Sequence, residues 1–162
     1  MKRIIASLAA IAMMAGAAPA FAGISPTSTT VTLSGKLNVN QYLSGQCDTS
    51  FTLDVNSAGT GGSITGSNFG AGSPCSSISQ SGTWQVDYVG PGVAVIRNLY
   101  VTTSAGWCQG DITVNVNNAT GQVTIPSQTI NGQIFGFLAA NCTLDSDAAS
   151  GHFTSSPALS VT

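Results

Sequence analysis

Polar and apolar residues alternate with a period of two along most of this chain. The runs at residues 30–39, 51–55, 84–88, 112–116 and 123–125 each place apolar side chains at every second position, residues 93–101 form a longer β-rich run, and the tail 157–162 alternates again. A period of two turns one face of an extended chain toward a core and the other toward water, so each run predicts a strand. Between the runs stand Gly59–Gly62, Gly90-Pro91-Gly92, the Asn/Gly-rich stretch 117–121 and Asn131-Gly132, residue types that reverse the chain. Helical periodicity with caps is absent beyond the N-terminal apolar run. The expected fold is therefore all-β, an antiparallel sandwich or flattened barrel.

One pattern occurs twice. Residues 47–56 read CDTSFTLDVN and residues 108–117 read CQGDITVNVN. In both, a cysteine precedes an alternating strand that runs into an Asn/Gly-rich turn, with a second strand expected before the next cysteine. Phe51, Leu53 and Val55 match Ile112, Val114 and Val116, so both copies should bury the same face. The simplest topology is two similar hairpin units, each stapled within itself by Cys47–Cys75 and Cys108–Cys142. The other connectivities stay open, since spacing does not fix pairing. Each staple would close a loop of roughly thirty residues, worth on the order of 3 kcal/mol through chain entropy.

The N-terminus changes how the composition is read. Lys2 and Arg3, an apolar run to about residue 18 and Ala20-Phe21-Ala22 form the pattern of an export signal cleaved after Ala22. Residues 23–162 then make one secreted all-β domain, with no later segment apolar and long enough to span a membrane. Its four cysteines suit an oxidising compartment. The remaining Lys36 and Arg97 face Asp48, Asp54, Asp87, Asp111, Asp145 and Asp147, two cations against six carboxylates, hence a net charge of −4. Without clustered cations the chain is neither a nucleic-acid binder nor a polybasic lipid binder. Sparse charge also leaves little repulsion between copies, which permits self-association.

Chemistry-bearing constellations are scarce. The cysteines lack a Cys-x-x-Cys pair and there is one histidine, which argues against zinc. His152 lies among small polar residues with no Gly-x-Ser-x-Gly elbow, so it reads as an exposed loop residue. Asp145-Ser-Asp147 followed by 148–151 lacks the ligand spacing of a calcium loop and reads as a solvated turn. No cofactor is called for and no catalytic residue is named. Among the aromatics, Trp84 and Tyr88 share one strand face with Val86, as core residues would. Trp107, Phe135 and Phe137 have two readings: core, or an exposed patch suited to an apolar interface or partner subunit.

Several of these features together carry a family resemblance. Cys47-x3-Phe51-Thr52, the segment 64–69 leading to Pro74-Cys75, a lone Trp84, Cys108-x-Gly110, the turn 117–121 and Asn141-Cys142-Thr143 resemble the secreted bacterial protein activators of alkane oxidation, the PraB-like family. The chain departs from that pattern in the Gly/Ser-rich stretch 57–72 and in Gly82-Thr83 before Trp84. The resemblance implies an exported, non-enzymatic accessory protein that helps a bacterium take up or oxidise long-chain alkanes at the cell surface or oil–water interface. The alternative is a structural subunit of a pilus, adhesin or biofilm matrix, in which residues 29–39 add to a neighbour's sheet edge. A small secreted hydrolase or carbohydrate binder is a third reading.

Overall fold

A computed structural model describes residues 22–146 and 151–162; the export-signal reading and Asp147 lie outside the described residues. In chain order the strands are β1 (Ile24–Ser25), β2 (Thr30–Asn40), β3 (Ser44–Val55), β4 (Gly61–Asn68) and β5 (Ser79–Gln80). There follow β6 (Trp84–Gly90), β7 (Val93–Thr102), β8 (Gly106–Asn117), β9 (Gln122–Thr124) and β10 (Gln128–Ile134). The last are β11 (Leu138–Ala139), β12 (Cys142–Asp145), β13 (Thr154–Ser156) and β14 (Ser160–Val161), and a single 3-10 turn spans Cys75–Ser77. The alternating residues become strands because the inward set is mainly apolar: Val31, Leu33, Leu37 and Val39 on β2, and Phe51, Leu53 and Val55 on β3, with buried Thr49 satisfied by donating to the Cys47 carbonyl at 3.0 Å.

Between the two architectures expected, the pairing selects a barrel. Antiparallel ladders join β2 to β3, β3 to β4, β4 to β6, β6 to β7 and β7 to β8. β10 then pairs with β8 on one side and with β12 on the other, and β12 pairs with β2, which closes the ring. That closure serves only the half of the barrel near the turn between β2 and β3. In the other half, β9 on β8 and β13 on β2 fill the wall, joined by the Val123↔Phe153 bridge. Ring closure removes the exposed edge that an open sheet must protect. The segment 29–39 is thus internal: β2 is paired with β3 along its whole length and with β12 and β13 on its other side. On that second side the ladder covers residues 32–34 and 38–40, so the flank left unpaired is limited to short stretches.

The interior is filled by side chains. Trp84 and Phe153 are fully buried, and the Phe51 ring lies 6.0 Å from Phe69, 6.0 Å from Trp84 and 5.5 Å from Phe153. An apolar void among these side chains, lined by Phe51, Ile96, Val114 and Phe153 among others, measures about 30 Å³. Both staples form as the repeat suggests, Cys47–Cys75 with a Cα–Cα distance of 5.5 Å and Cys108–Cys142 with 5.9 Å. Each sits beside a glycine whose missing side chain makes the room. A Cβ on Gly45 would lie 2.6 Å from Pro74, and one on Gly132 would lie 2.6 Å from the Cys142 Sγ.

The repeated pattern holds with two adjustments. Cys47 and Cys108 lie within β3 and β8 instead of preceding them, on the same inner face as the apolar residues that follow. The first staple encloses one further strand, β4, but the second encloses β9, β10 and β11. At the end remote from the β2–β3 turn, β1 pairs with β14. There the Gly23 amide donates to the Thr162 carbonyl at 2.6 Å, and Asn118 clamps Val161 through both its amide nitrogen and its carbonyl oxygen, at 2.7 Å each.

Candidate apolar contact surface

Three hairpin turns meet at the other end of the barrel: residues 41–43 between β2 and β3, residues 103–105 between β7 and β8, and residues 135–137 between β10 and β11. They are tied to one another by polar groups. The Phe135 amide donates to the Ala105 carbonyl at 2.7 Å. The Gln41 side-chain amide reaches the carbonyls of Trp107, Gln133 and Ala140 at 3.1, 3.2 and 3.2 Å. One side chain thereby fixes β8, β10 and the strand-to-strand link after β11 relative to the first turn.

On this polar frame stand large apolar side chains. Phe137 is 73% exposed, Tyr42 59%, Phe135 53%, Leu43 49% and Leu138 46%, and the Tyr42 and Phe135 rings meet edge to face at 5.3 Å. Among the described residues one further large apolar side chain is exposed, Val89, at the opposite end. The residue that presents the Phe135 ring is itself in an unfavourable conformation: φ is +54° at Phe135 and +76° at Gly136, the left-handed region that glycine tolerates and phenylalanine does not. Strain of this kind persists where the surroundings over-determine it, and such places are commonly sites of function.

The structure therefore brings Phe135 and Phe137 together and adds Tyr42, Leu43 and Leu138, which pattern reading missed. Their signal was present: two large apolar residues stand between polar Asn40-Gln41 and Ser44 inside a turn, where nothing about periodicity asks for them. Trp107 is placed apart. It is half-buried on the outer wall below the tip, its indole Nε1 donating to Gln133 Oε1 at 3.0 Å and its ring 6.0 Å from that of Tyr100. Trp84, by contrast, is core.

Charge is kept away from this end. Residues 37–47, 98–110 and 112–144, which supply the three turns and the strands beneath them, contain no Asp, Glu, Lys or Arg. The ion pairs lie farther along the wall: Lys36 with Asp48 at 3.1 Å, and Arg97 with Asp87 at 3.1 Å and Asp111 at 2.9 Å. Asp111 is held below the usual carboxylate range, first by the Asn98 amide at 2.9 Å and then by Arg97. Asn98 has φ +52° at a bulge in β7, so Asp111 serves as its cap.

The other candidates assemble no chemistry. His152 is half-buried instead of exposed, because the neighbouring Phe153 enters the core and draws it against the wall, where its Nε2 lies 2.8 Å from Gln122 Nε2. No Ser or Asp side chain hydrogen-bonds it among the described residues. Asp145 accepts a hydrogen bond from Asn38 at 2.7 Å, and no cluster of three metal-binding side chains occurs among the described residues.

Comparison with known families places this barrel. A family model described as "Alkane oxidation protein activator PraA/PraB-like" matches residues 1–162, the whole chain. The chain belongs to the PraA/PraB-like family. No curated protein and no solved structure matches it. For a PraA/PraB-like protein the filled barrel is informative, because a void of about 30 Å³ is close to the space that one or two waters need and far below a small-molecule pocket of roughly 300 Å³ or more. A long alkane has no room inside.

Proposed function

We propose that this protein is an exported, non-enzymatic accessory factor of alkane use that contacts apolar surfaces through the end carrying Tyr42, Leu43, Phe135, Phe137 and Leu138. The observation that carries the reading is the concentration of exposed apolar side chains at one charge-free end of a barrel with a packed interior. Moving such side chains from water into hydrocarbon gains about 25 cal/mol per Å² of apolar surface. With no charge beside them, that gain is not offset by desolvating an ion. Trp107 and Tyr100 would lie at the boundary, where rings with one polar atom are favoured. The family's link to alkane oxidation supplies the kind of surface.

Export and signal removal belong to the same proposal. Two disulfides support an oxidising destination. Residues 23–162 would act as one unit, since Gly23 and Thr162 are hydrogen-bonded to each other in both directions.

The test is partition of the purified oxidised protein between water and hexadecane droplets, read by sedimentation. A Phe137→Ser, Leu138→Ser double variant should lose most of its droplet-bound fraction while its unfolding midpoint stays unchanged. Equal partition of the variant and the parent protein would sink the assignment of this end.

A further inference from the structure

The outer wall formed by β7, β8 and β10 carries two aromatic rings that the core does not take. Val101 and Cys108 are buried, so their neighbours Tyr100, Thr102, Trp107 and Gln109 face outward, and with Ile130 and Ile134 buried on β10 the same holds for Asn131 and Gln133. The register sets these six in two rows across the three strands. Tyr100, Gln109 and Asn131 stand side by side in one, and Thr102, Trp107 and Gln133 in the other. Trp107 and Tyr100 are thus diagonal neighbours, and their rings meet at 6.0 Å, tilted by 40°.

Around the rings stands hydrogen-bonding capacity that the fold does not use. The Trp107 indole Nε1 donates to Gln133 Oε1 at 3.0 Å, which assigns the oxygen of that amide and leaves its Nε2 without a partner among the described residues. The Tyr100 hydroxyl and the side-chain amides of Gln109 and Asn131 have no partner among the described residues either. All of these groups can be reached from outside: Gln109 and Asn131 are exposed, and neither the Tyr100 hydroxyl nor Gln133 Nε2 is buried. Two amides that both donate and accept, a hydroxyl and a further amide N–H therefore surround a pair of rings on one open face.

Charge and backbone narrow what could lie there. Residues 98–110 and 128–134 contain no Asp, Glu, Lys or Arg, and Arg97 and Asp111, which follow on the same strands, are bonded to each other at 2.9 Å. An ion of either sign would find no free countercharge. β8 is paired with β7 on one flank and with β10 on the other, so an extended peptide has no edge here to join. A hydrocarbon chain would strip water from the amides and return no hydrogen bond, which is unfavourable.

We propose that this wall binds a neutral glycan chain, with sugar rings laid against Trp107 and Tyr100 and sugar hydroxyls bonded to Gln109, Asn131 and Gln133. The C–H face of a sugar ring is apolar and its rim is polar, the combination that rings set among amides can match. Because the wall touches its ligand from one side only, linked sugars that span both rows gain contacts that a single sugar does not. The site lies apart from Tyr42, Leu43, Phe135, Phe137 and Leu138 and does not depend on the role of that end.

The experiment is a titration of the ¹⁵N-labelled oxidised protein with β-linked hexasaccharides of glucose, mannose and N-acetylglucosamine, following amide and indole resonances. Saturable shifts are expected for the Trp107 indole N–H, for the side-chain amides of Gln109, Asn131 and Gln133 and for the backbone of residues 98–102, 107–109 and 131–133, with the buried Trp84 indole unmoved. A Gln109→Thr, Asn131→Thr double variant, changed only at exposed positions, should keep the Tm and weaken binding about tenfold. Trp107→Ala should also weaken it about tenfold, and Trp107→Phe, which keeps a ring, should restore most of the loss. The proposal is overturned if no hexasaccharide moves the Trp107 indole, if the shifts cluster at residues 41–43 and 135–138, or if the double variant binds like the parent. Tighter binding of the anionic polymer polygalacturonate than of any neutral hexasaccharide would overturn the ligand class.

Discussion

Replacing Phe135 by Asn should make the protein more stable and less able to hold an apolar surface. In its left-handed conformation Phe135 costs roughly 1–2 kcal/mol relative to a residue at ease there. Asn tolerates this region, so most of that cost is relieved. Against the gain stands the edge-to-face contact with Tyr42 at 5.3 Å, worth about 0.5 kcal/mol at so exposed a site. The net expectation is a stabilisation of about 0.5–1 kcal/mol, or about 2–3 °C in Tm for a chain of this size. The same change removes a ring that is 53% exposed. Fully burying a Phe gains about 1.5–3 kcal/mol, so the exposed half contributes about 1 kcal/mol and its loss should weaken droplet partition about fivefold. Calorimetry and the hexadecane assay on one preparation read both quantities. A lower Tm with unchanged partition would refute the reasoning on both counts, because the strain would then not be present and the ring not engaged.

Gln41→Leu should lower stability by about 1–3 kcal/mol in urea titration, since up to three carbonyls lose the amide that joins the turns; an unchanged midpoint would mean that those carbonyls are served as well by water. Trp84→Ala should cost about 3–5 kcal/mol, as the ring is fully buried against Phe51, and a change under about 1 kcal/mol would remove Trp84 from the core. Asp111 has a lowered folded-state pKa, so its contribution is present above the unfolded carboxylate value near 4 and is lost as pH falls through the folded value. Asp111→Asn should therefore flatten the acid side of the stability profile below about pH 4. Because the side chain is half exposed, the difference should be a few tenths of a kcal/mol, and an unaltered acid limb would show the cap to be inert.

The fold was legible where a single face is buried. Residues 30–39 alternate because β2 has one side in the core, and the observed strand extends that run by one residue. The matched positions Phe51, Leu53, Val55 and Ile112, Val114, Val116 bury the same face; they suggested the disulfide pairing without fixing it, and that pairing is the one found. Residues 57–72 were opaque for a physical reason. Gly61 and Gly62 look like turn punctuation, yet they stand in β4 because neighbouring backbone comes too close for a side chain: a Cβ would lie 2.1 Å from the Val86 carbonyl oxygen at Gly61 and 2.5 Å from that of Asp54 at Gly62. Of Gly59, Gly61 and Gly62, it is Gly59, with φ +69°, that turns the chain. Ring closure was equally hidden, since the pairing of β10 with both β8 and β12 is a long-range matter that no local pattern encodes. At the candidate surface, Phe135 and Phe137 could be named but not placed. A run apolar on both faces reads as buried, and the left-handed turn at Phe135 and Gly136 is what carries both rings outward.

The wall between β2 and β8 is closed twice, as a cask is by two hoops. The hoop of β10 and β12 is riveted, for the Cys108–Cys142 bond crosses it, and the Cys47–Cys75 bond fastens the same half. The hoop of β9 and β13 hangs on a short ladder to each stave and the Val123↔Phe153 bridge, with no covalent tie. Such a vessel loosens at the unriveted rim first. Warming or denaturant will let the end that holds Gly23 and Thr162 breathe and exchange its amide protons, while the aromatic end keeps its shape. The covalent ties thus stand at the aromatic end.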